Sequence, residues 1–144
     1  LNYRLPDVLA ALGKSQLERL PDSKSKRQKI KAFYDTSFSG QANVVTPVQR
    51  NDVDPVWHLY PVRVPADRRR SVFESLREAG IGVQVNYLPA YWHPAFQKLG
   101  YRRGLCPNAE DFYRQEISLP IHVGLTRLQQ EYIVESLLTA IEVQ

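Results

Sequence analysis

Two stretches of this chain concentrate polar and aromatic side chains able to bind a ligand. In Asn2-Tyr3-Arg4-Leu5-Pro6-Asp7 an amide and a guanidinium stand immediately before an apolar periodic segment. Both groups donate hydrogen bonds to oxyanions, and the guanidinium does so as a planar fork, so Asn2 and Arg4 suit an anion. The alternative is that Arg4 pairs with a carboxylate near a helix start. The second stretch is Asn86-Tyr87-Leu88-Pro89-Ala90-Tyr91-Trp92-His93-Pro94-Ala95-Phe96, where rings, an amide and an imidazole crowd between prolines. Such a loop can offer ring faces to a sugar or base and polar tips to hydroxyls. It can equally use Tyr91, Trp92 and Phe96 to pack the following turn onto a sheet.

Other chemistries lack their residues. His58, His93 and His122 are scattered, and Cys106 is the single cysteine, which excludes an internal disulfide and leaves no zinc-like spacing. Gly80-Ile81-Gly82 precedes a strand pattern instead of following one and opening a helix, so it is not a phosphate loop. No nucleophile-elbow pattern is present. No residue is assigned a catalytic or metal-binding role, and the chain is not expected to be a complete enzyme by itself.

The elements that must position these groups can be read from periodicity. Pro6 suits the first position of a helix in which Leu9, Leu12, Leu17 and Leu20 return to one side. Gly13 lies on that side, where it marks either a close backbone approach or neutral variation. Pro21-Asp22 restarts a helix with an Ile30, Phe33, Tyr34 and Phe38 stripe, its early turns crowded by Lys24, Lys26, Arg27, Lys29 and Lys31. After a loop with one short strand at Val44-Val45, residues 57–64 are strand-like, with Pro61 requiring an edge or a bulge. Asp67 is expected to cap a helix carrying Val72, Phe73, Leu76 and Ala79 inward, with Gly80 as its stop. Ile81, Val83, Val85 and Tyr87 then alternate as a half-buried strand, completing a β-α-β unit. A helix over 109–114 and a short strand at Ile117-Ser118-Leu119-Pro120 follow. Thr126-Arg127-Leu128-Gln129 has capping-box spacing before a last helix expected to bury Leu128, Tyr132, Ile133, Leu137 and Ile141. The organisation is α+β: a helical lead-in over residues 1–39 and a small domain over 40–144.

With 144 residues, 43% hydrophobic and 24% charged, the chain is the size of one globular domain. Its formal charge of +4 is a modest hint of an anionic partner. The basic run from Lys24 to Lys31 could make a stand-alone nucleic-acid-binding module, but no aromatic residue is interleaved there to stack a base, and a solvated helix face explains it as well. No apolar run approaches a membrane span, and a cytoplasmic setting is the default expectation. The chain opens at a Leu and holds no Met, so it is expected to be cut from something longer.

The order of the motifs carries a resemblance. The Asn2-Tyr3-Arg4-Leu5-Pro6-Asp7 block is followed by Ala10-Ala11-Leu12-Gly13, Trp57-His58-Leu59-Tyr60 and the Gly80 to Pro89 run. Leu99-Gly100-Tyr101, Cys106-Pro107-Asn108-Ala109-Glu110, Ile117-Ser118-Leu119-Pro120 and Gly124-Leu125-Thr126 complete it. In this order, along essentially the whole chain, the blocks resemble the C-terminal part of DegT/DnrJ/StrS-type sugar-nucleotide aminotransferases. Within that family the similarity is to enzymes that aminate UDP-linked 4-keto-6-deoxy N-acetylhexosamines on the way to pseudaminic acid or spore-coat polysaccharide.

The resemblance implies the small C-terminal domain of a fold type I enzyme that depends on pyridoxal 5'-phosphate and works as a homodimer. Asn2 and Arg4 would then reach the neighbouring subunit's cofactor phosphate, and Tyr87, Tyr91 and His93 would contact the nucleotide-linked sugar. The amino donor is expected to be an amino acid such as glutamate. The lysine that holds the cofactor as a Schiff base lies upstream of the Asn-Tyr-Arg block in this family, within a large N-terminal domain expected as the missing partner. Lys14 and the Lys24 to Lys31 group do not match its motif, so this chain alone is expected neither to hold the cofactor nor to transaminate. Relatives often read His-Tyr-x-Pro-Leu/Val-His at the aromatic loop, where this chain has Asn86-Tyr87-Leu88-Pro89-Ala90-Tyr91 with His93 two places later. That departure leaves the exact sugar open.

Overall fold

The computed structural model describes residues 4–142. Two helices lead, α1 (Asp7–Glu18) and α2 (Leu20–Ser37). Then come β1 (Tyr60–Arg63), α3 (Arg69–Glu78), a 3-10 turn at Ala90–Trp92, and α4 (Pro94–Gln97). The chain ends with α5 (Pro107–Gln115), β2 (Glu116–Leu119) and α6 (Arg127–Glu142).

The sheet is small for an identifiable reason. β1 pairs antiparallel with β2, Tyr60 opposite Leu119 and Arg63 opposite Glu116. On the outer side of β1, Arg63 and Val45 exchange both backbone hydrogen bonds at 2.9 Å and go no further. The next donor positions are Pro47 facing Pro61 in one direction and Pro65 in the other. None of these has an N–H to give, so the Val45 pairing stops at one bridge and β1 takes an edge there.

On the far side of β2, Gln84 and Ser118 form a single antiparallel bridge. β1 and the Gln84 segment are therefore parallel to each other, with β2 inserted between them and α3 as the crossover. The half-buried strand expected over 81–87 is cut to that bridge because other N–H groups of the segment find acceptors off the ladder. Val83 N–H bonds the Ile81 carbonyl at 2.9 Å, and Asn86 N–H turns to the Glu116 side chain at 2.7 Å.

The core lies between this sheet and helices α2, α3 and α6. Ile30, Tyr34 and Phe38 enter from α2, Val72 and Leu76 from α3, and Ile133, Leu137 and Ile141 from α6. Tyr34 and Tyr60 pack at 5.0 Å between ring centroids. Their hydroxyls do not go unmatched: Tyr34 donates to the Pro120 carbonyl at 3.0 Å and Tyr60 to Asp35 Oδ1 at 2.7 Å. Burial pushes both phenols well above the ordinary tyrosine range, with the Asp35 carboxylate adding to the effect at Tyr60. The second half of α2 thus shares one core with residues 40–142, and the outlying part of the lead-in is α1.

Several local expectations are met and several are corrected. α3 ends as Gly80 predicts: with φ of +76° it allows Gly80 N–H to reach the Arg77 carbonyl at 3.0 Å and Ile81 N–H to reach Leu76 at 2.9 Å, the paired bonds of a Schellman stop. Asp67 does not cap α3. The Pro65 carbonyl takes the N–H groups of both Arg68 and Arg69, which winds one more turn before the helix proper begins at Arg69.

Thr126 and Gln129 form the reciprocal capping box, with Thr126 N–H to Gln129 Oε1 at 2.9 Å and Gln129 N–H to Thr126 Oγ1 at 3.3 Å. That start sets the register of α6, so Gln130 turns inward with Ile133, Leu137 and Ile141. Leu128 is instead 79% exposed, and Tyr132, also outside the core, donates to the Ala79 carbonyl at 3.1 Å. α1 buries none of its residues, and a Cβ placed on Gly13 would meet nothing within 4 Å, so no close approach occurs there among the described residues.

Candidate functional site

The aromatic loop leaves the sheet at Asn86 and returns through α5. Between Ala90 and Ala109 no residue is buried, and only Tyr91 and Trp92 are half-buried. Apolar packing therefore contributes little to holding this excursion. A single carboxylate gathers it instead. Glu110, in the first turn of α5, is 4% exposed, and its Oε1 accepts from Tyr91 Oη at 2.7 Å, Trp92 Nε1 at 3.3 Å and Gly104 N–H at 2.5 Å. Arg114, one turn along α5, places a guanidinium nitrogen 3.7 Å from Oε2. The Trp92 ring meets Tyr113 edge-on at 5.5 Å and lies under the Arg103 guanidinium at 4.1 Å.

The Tyr91 hydrogen bond holds the Glu110 carboxyl below the ordinary glutamate range, outweighing its withdrawal from water, with the Gly104 N–H, Trp92 and Arg114 helping. The Tyr91 phenol moves upward, chiefly through burial and then through the same bond.

Of the loop residues singled out for substrate, Tyr87 is 71% exposed and His93 is exposed. His93 sits at the N-cap of α4, its own N–H bonded to the Ala90 carbonyl at 3.1 Å. Tyr91 is different: its hydroxyl is shared between Glu110 and the Cys106 carbonyl, 3.3 Å away, which ties it to the support of the loop. Arg4 is exposed just ahead of α1, a helix start with no side-chain cap hydrogen bond. Asn2 lies outside the described residues.

A second carboxylate supports the root of the loop. Glu116, fully buried on β2, accepts Asn86 N–H at 2.7 Å and the Ser118 hydroxyl at 2.5 Å. Desolvation raises its carboxyl above the ordinary range despite those two bonds and a distant Arg69 charge. Sequence reasoning missed the roles of both acids. The available signals were Glu110 closing the Cys106 to Glu110 block, and Glu116 and Ser118 sharing one face of a four-residue strand that is buried on both faces.

The basic run of α2 is largely engaged within the chain. Lys24 pairs with Asp54, Lys26 with Asp22 at 2.8 Å and Lys31 with Asp35 at 2.5 Å, while Arg27 donates to the Trp57 carbonyl at 2.9 Å. A surface groove of about 440 Å³ beside α6, lined by Gly80, Gly82, His122 and Tyr132 among others, shares no residue with the aromatic loop. No group of three or more His, Cys, Asp or Glu that could hold a metal occurs among the described residues, and no helix there is long and apolar enough to cross a membrane.

Residues 1–138 match the DegT/DnrJ/EryC1/StrS aminotransferase family. The chain belongs to that family. It is 35% identical over 144 residues to a UDP-4-amino-4,6-dideoxy-N-acetyl-beta-L-altrosamine transaminase of Campylobacter jejuni, covering 98% of this chain and 38% of the relative. It is 32% identical to the spore coat polysaccharide biosynthesis protein SpsC of Bacillus subtilis, over 90% of this chain and 35% of that one.

Among solved structures, Helicobacter pylori PseC, an aminotransferase involved in the biosynthesis of pseudaminic acid, superposes with a TM-score of 0.90 at 33% identity. That match covers 99% of this chain and 39% of PseC. A sugar aminotransferase of Streptococcus pneumoniae in its PLP form gives a TM-score of 0.89 at 31% identity, over 96% and 36% of the two chains. The small α+β fold is therefore that of these PLP enzymes, and this member of the family spans little more than a third of the length of such relatives.

Proposed function

We propose that this chain forms the substrate-loop and interface portion of a PLP-dependent aminotransferase that moves an amino group from an amino acid, glutamate for choice, to a nucleotide-linked 4-keto-6-deoxy sugar. A larger cofactor-binding body and a second subunit complete the site. The observation that supports this reading most is the aromatic loop itself: Tyr87 and His93 are exposed on a segment whose other rings are tied down at Glu110. An exposed phenol and imidazole on a braced loop can meet the ring and hydroxyls of a sugar or the face of a base.

The residues present also fit the cofactor's phosphate. Arg4 brings a guanidinium to a helix start without a side-chain cap bond, where hydrogen-bond donors favour an anion, and Asn2 would add an amide. Bound PLP supplies the electron sink that amino-group transfer needs. The part assigned to this chain is to hold that phosphate through Asn2 and Arg4 and to orient the sugar nucleotide through Tyr87 and His93, with Tyr91 acting from beneath. Lys24, Lys26 and Lys31 pair with acids of the same chain, which favours this reading over the nucleic-acid module.

A hybrid enzyme tests the proposal. The matching C-terminal portion of the Campylobacter jejuni transaminase is replaced by this chain, and amination of its keto-sugar nucleotide is followed. The expected result is activity, with Tyr87→Phe and His93→Gln each raising KM roughly tenfold, the scale of one lost hydrogen bond. A hybrid that folds and holds PLP but is indifferent to both substitutions overturns the loop assignment.

A further inference from the structure

The functional reading leaves the Cys106 to Glu110 block without a task, and the structure gives it one. We infer that the Glu110 carboxylate is a positioning residue that braces the aromatic loop, and so sets where Tyr87 and His93 are presented. This rests on the substrate-loop reading above.

Residues 90–109 contain no buried side chain, so the excursion has no core of its own to resist fraying. Its internal contacts, such as Phe96 against Tyr101 edge-on at 5.9 Å, link neighbours within the loop and do not tie it to the body. The ties to the body converge on α5. Tyr91 and Trp92 come from the outgoing limb and Gly104 from the returning limb, and all three donate to the same Glu110 oxygen. One acceptor therefore closes both limbs of the loop onto α5. α5 is held in turn: the carbonyl of Arg114 accepts from Arg69 Nε at 3.4 Å, and the Arg69 guanidinium lies 5.6 Å from the centre of the Tyr113 ring.

Three donors on one oxygen favour a charged acceptor, because bonds to an ionised carboxylate are roughly twice as strong as those to a neutral group. The charged groups around Glu110 are Arg114 on its own helix and Arg103 over Trp92; the titratable ones are Tyr91 and the adjacent Cys106. Neither arginine loses its charge in the accessible range. Glu110 is then the group whose protonation releases the loop in acid.

The test measures amide hydrogen exchange across residues 87–105 in this chain, as wild type, Glu110→Gln and Glu110→Ala. It is paired with the KM for the keto-sugar nucleotide of the Campylobacter jejuni hybrid carrying the same substitutions. Expected are at least tenfold faster loop exchange in Glu110→Gln and a larger increase in Glu110→Ala, with β1, β2 and α6 unchanged. Wild-type loop protection should persist above the ordinary glutamate range and fall as pH drops through the lowered value, whereas Glu110→Gln should show no such step. The pH step separates a charged acceptor from a side chain that only fills space, and the KM of the hybrid separates positioning of Tyr87 and His93 from loop stability alone. In the hybrid, KM for the sugar nucleotide should rise several-fold with either substitution.

Loop exchange and pH profile like wild type in Glu110→Gln overturn the bracing role. A loosened loop in a hybrid whose KM stays that of wild type overturns its positioning role. A hybrid whose KM is indifferent to Tyr87→Phe and His93→Gln, while the loop still answers to Glu110, counts against the substrate-loop reading and upholds the brace.

Discussion

Residues 90–109 and the body they leave are stabilised by different physics. In the body, α2, α3 and α6 close over β1 and β2 through side chains such as Tyr34, Val62, Leu76 and Leu137, all fully buried. Each such side chain contributes about 1.5–3 kcal/mol through removal from water. The excursion has no such residues and depends on directed polar bonds to one acid. The contrast is sharpened by two carboxylates at opposite ends of α5. Glu110 faces the excursion and is held ionised by its donors, whereas Glu116 sits in the sheet and is pushed toward the neutral form by burial. A core tolerates a charge poorly, while a loop without a core can use one as its anchor.

The largest effect expected from this contrast lies in the body. Leu137→Ala removes a fully buried side chain between α6 and the sheet and should cost about 2–5 kcal/mol, read from urea denaturation. Glu110→Gln should leave the same unfolding midpoint nearly in place; a shift as large as that of Leu137→Ala would mean that loop and body are one cooperative unit.

Next comes Glu116. Glu116→Ala strands the Asn86 N–H and the Ser118 hydroxyl and should cost about 1–3 kcal/mol. Because its folded carboxyl is raised above the unfolded value, its contribution is fullest below the ordinary glutamate range and is lost as pH rises through the raised value. Glu116→Gln should therefore gain on wild type as pH increases toward neutrality. Equal curves at all pH values would remove the distinction between the two acids.

Gly80→Ala should cost about 1–2 kcal/mol, since φ of +76° is unfavourable for a residue with a Cβ even where space is open. Thr126→Ala should cost about 1 kcal/mol by opening the capping box of α6. Smallest is Lys24→Ala, which breaks an exposed pair with Asp54 and should change stability by about 0–1 kcal/mol, less at high salt. Thermal melts of these three variants would rank them, and a Lys24→Ala effect above that of Thr126→Ala would show that the basic face contributes to the core's stability.

The reading of the chain from residues alone was accurate where the cause is local. Gly80 as a stop, Thr126 and Gln129 as a cap, Ile30, Tyr34 and Phe38 as an inward stripe, and Pro61 at an edge all follow from geometry within a few residues. It erred where a distant partner decides. Asp67 looked like a cap until the Pro65 carbonyl wound an earlier turn, and Leu128 looked like core until the register of α6 brought Gln130 inward. The strand over 81–87 looked regular until Glu116 took the Asn86 N–H. At the site, the aromatic composition of 86–96 was visible as a candidate surface, but its division into exposed Tyr87 and His93 and anchored Tyr91 and Trp92 was not. That division depends on Glu110, some twenty positions along the chain.

By itself the sequence determined the family, through ordered motif blocks, and the local stops, caps and apolar stripes, because backbone sterics and hydrogen-bond satisfaction act over single turns. Packing in three dimensions settles which of two acids is pushed toward its neutral form, which rings face outward and which N–H groups leave the ladder. Those outcomes depend on which groups are withdrawn from water together, and segments far apart in the chain set them only when they pack.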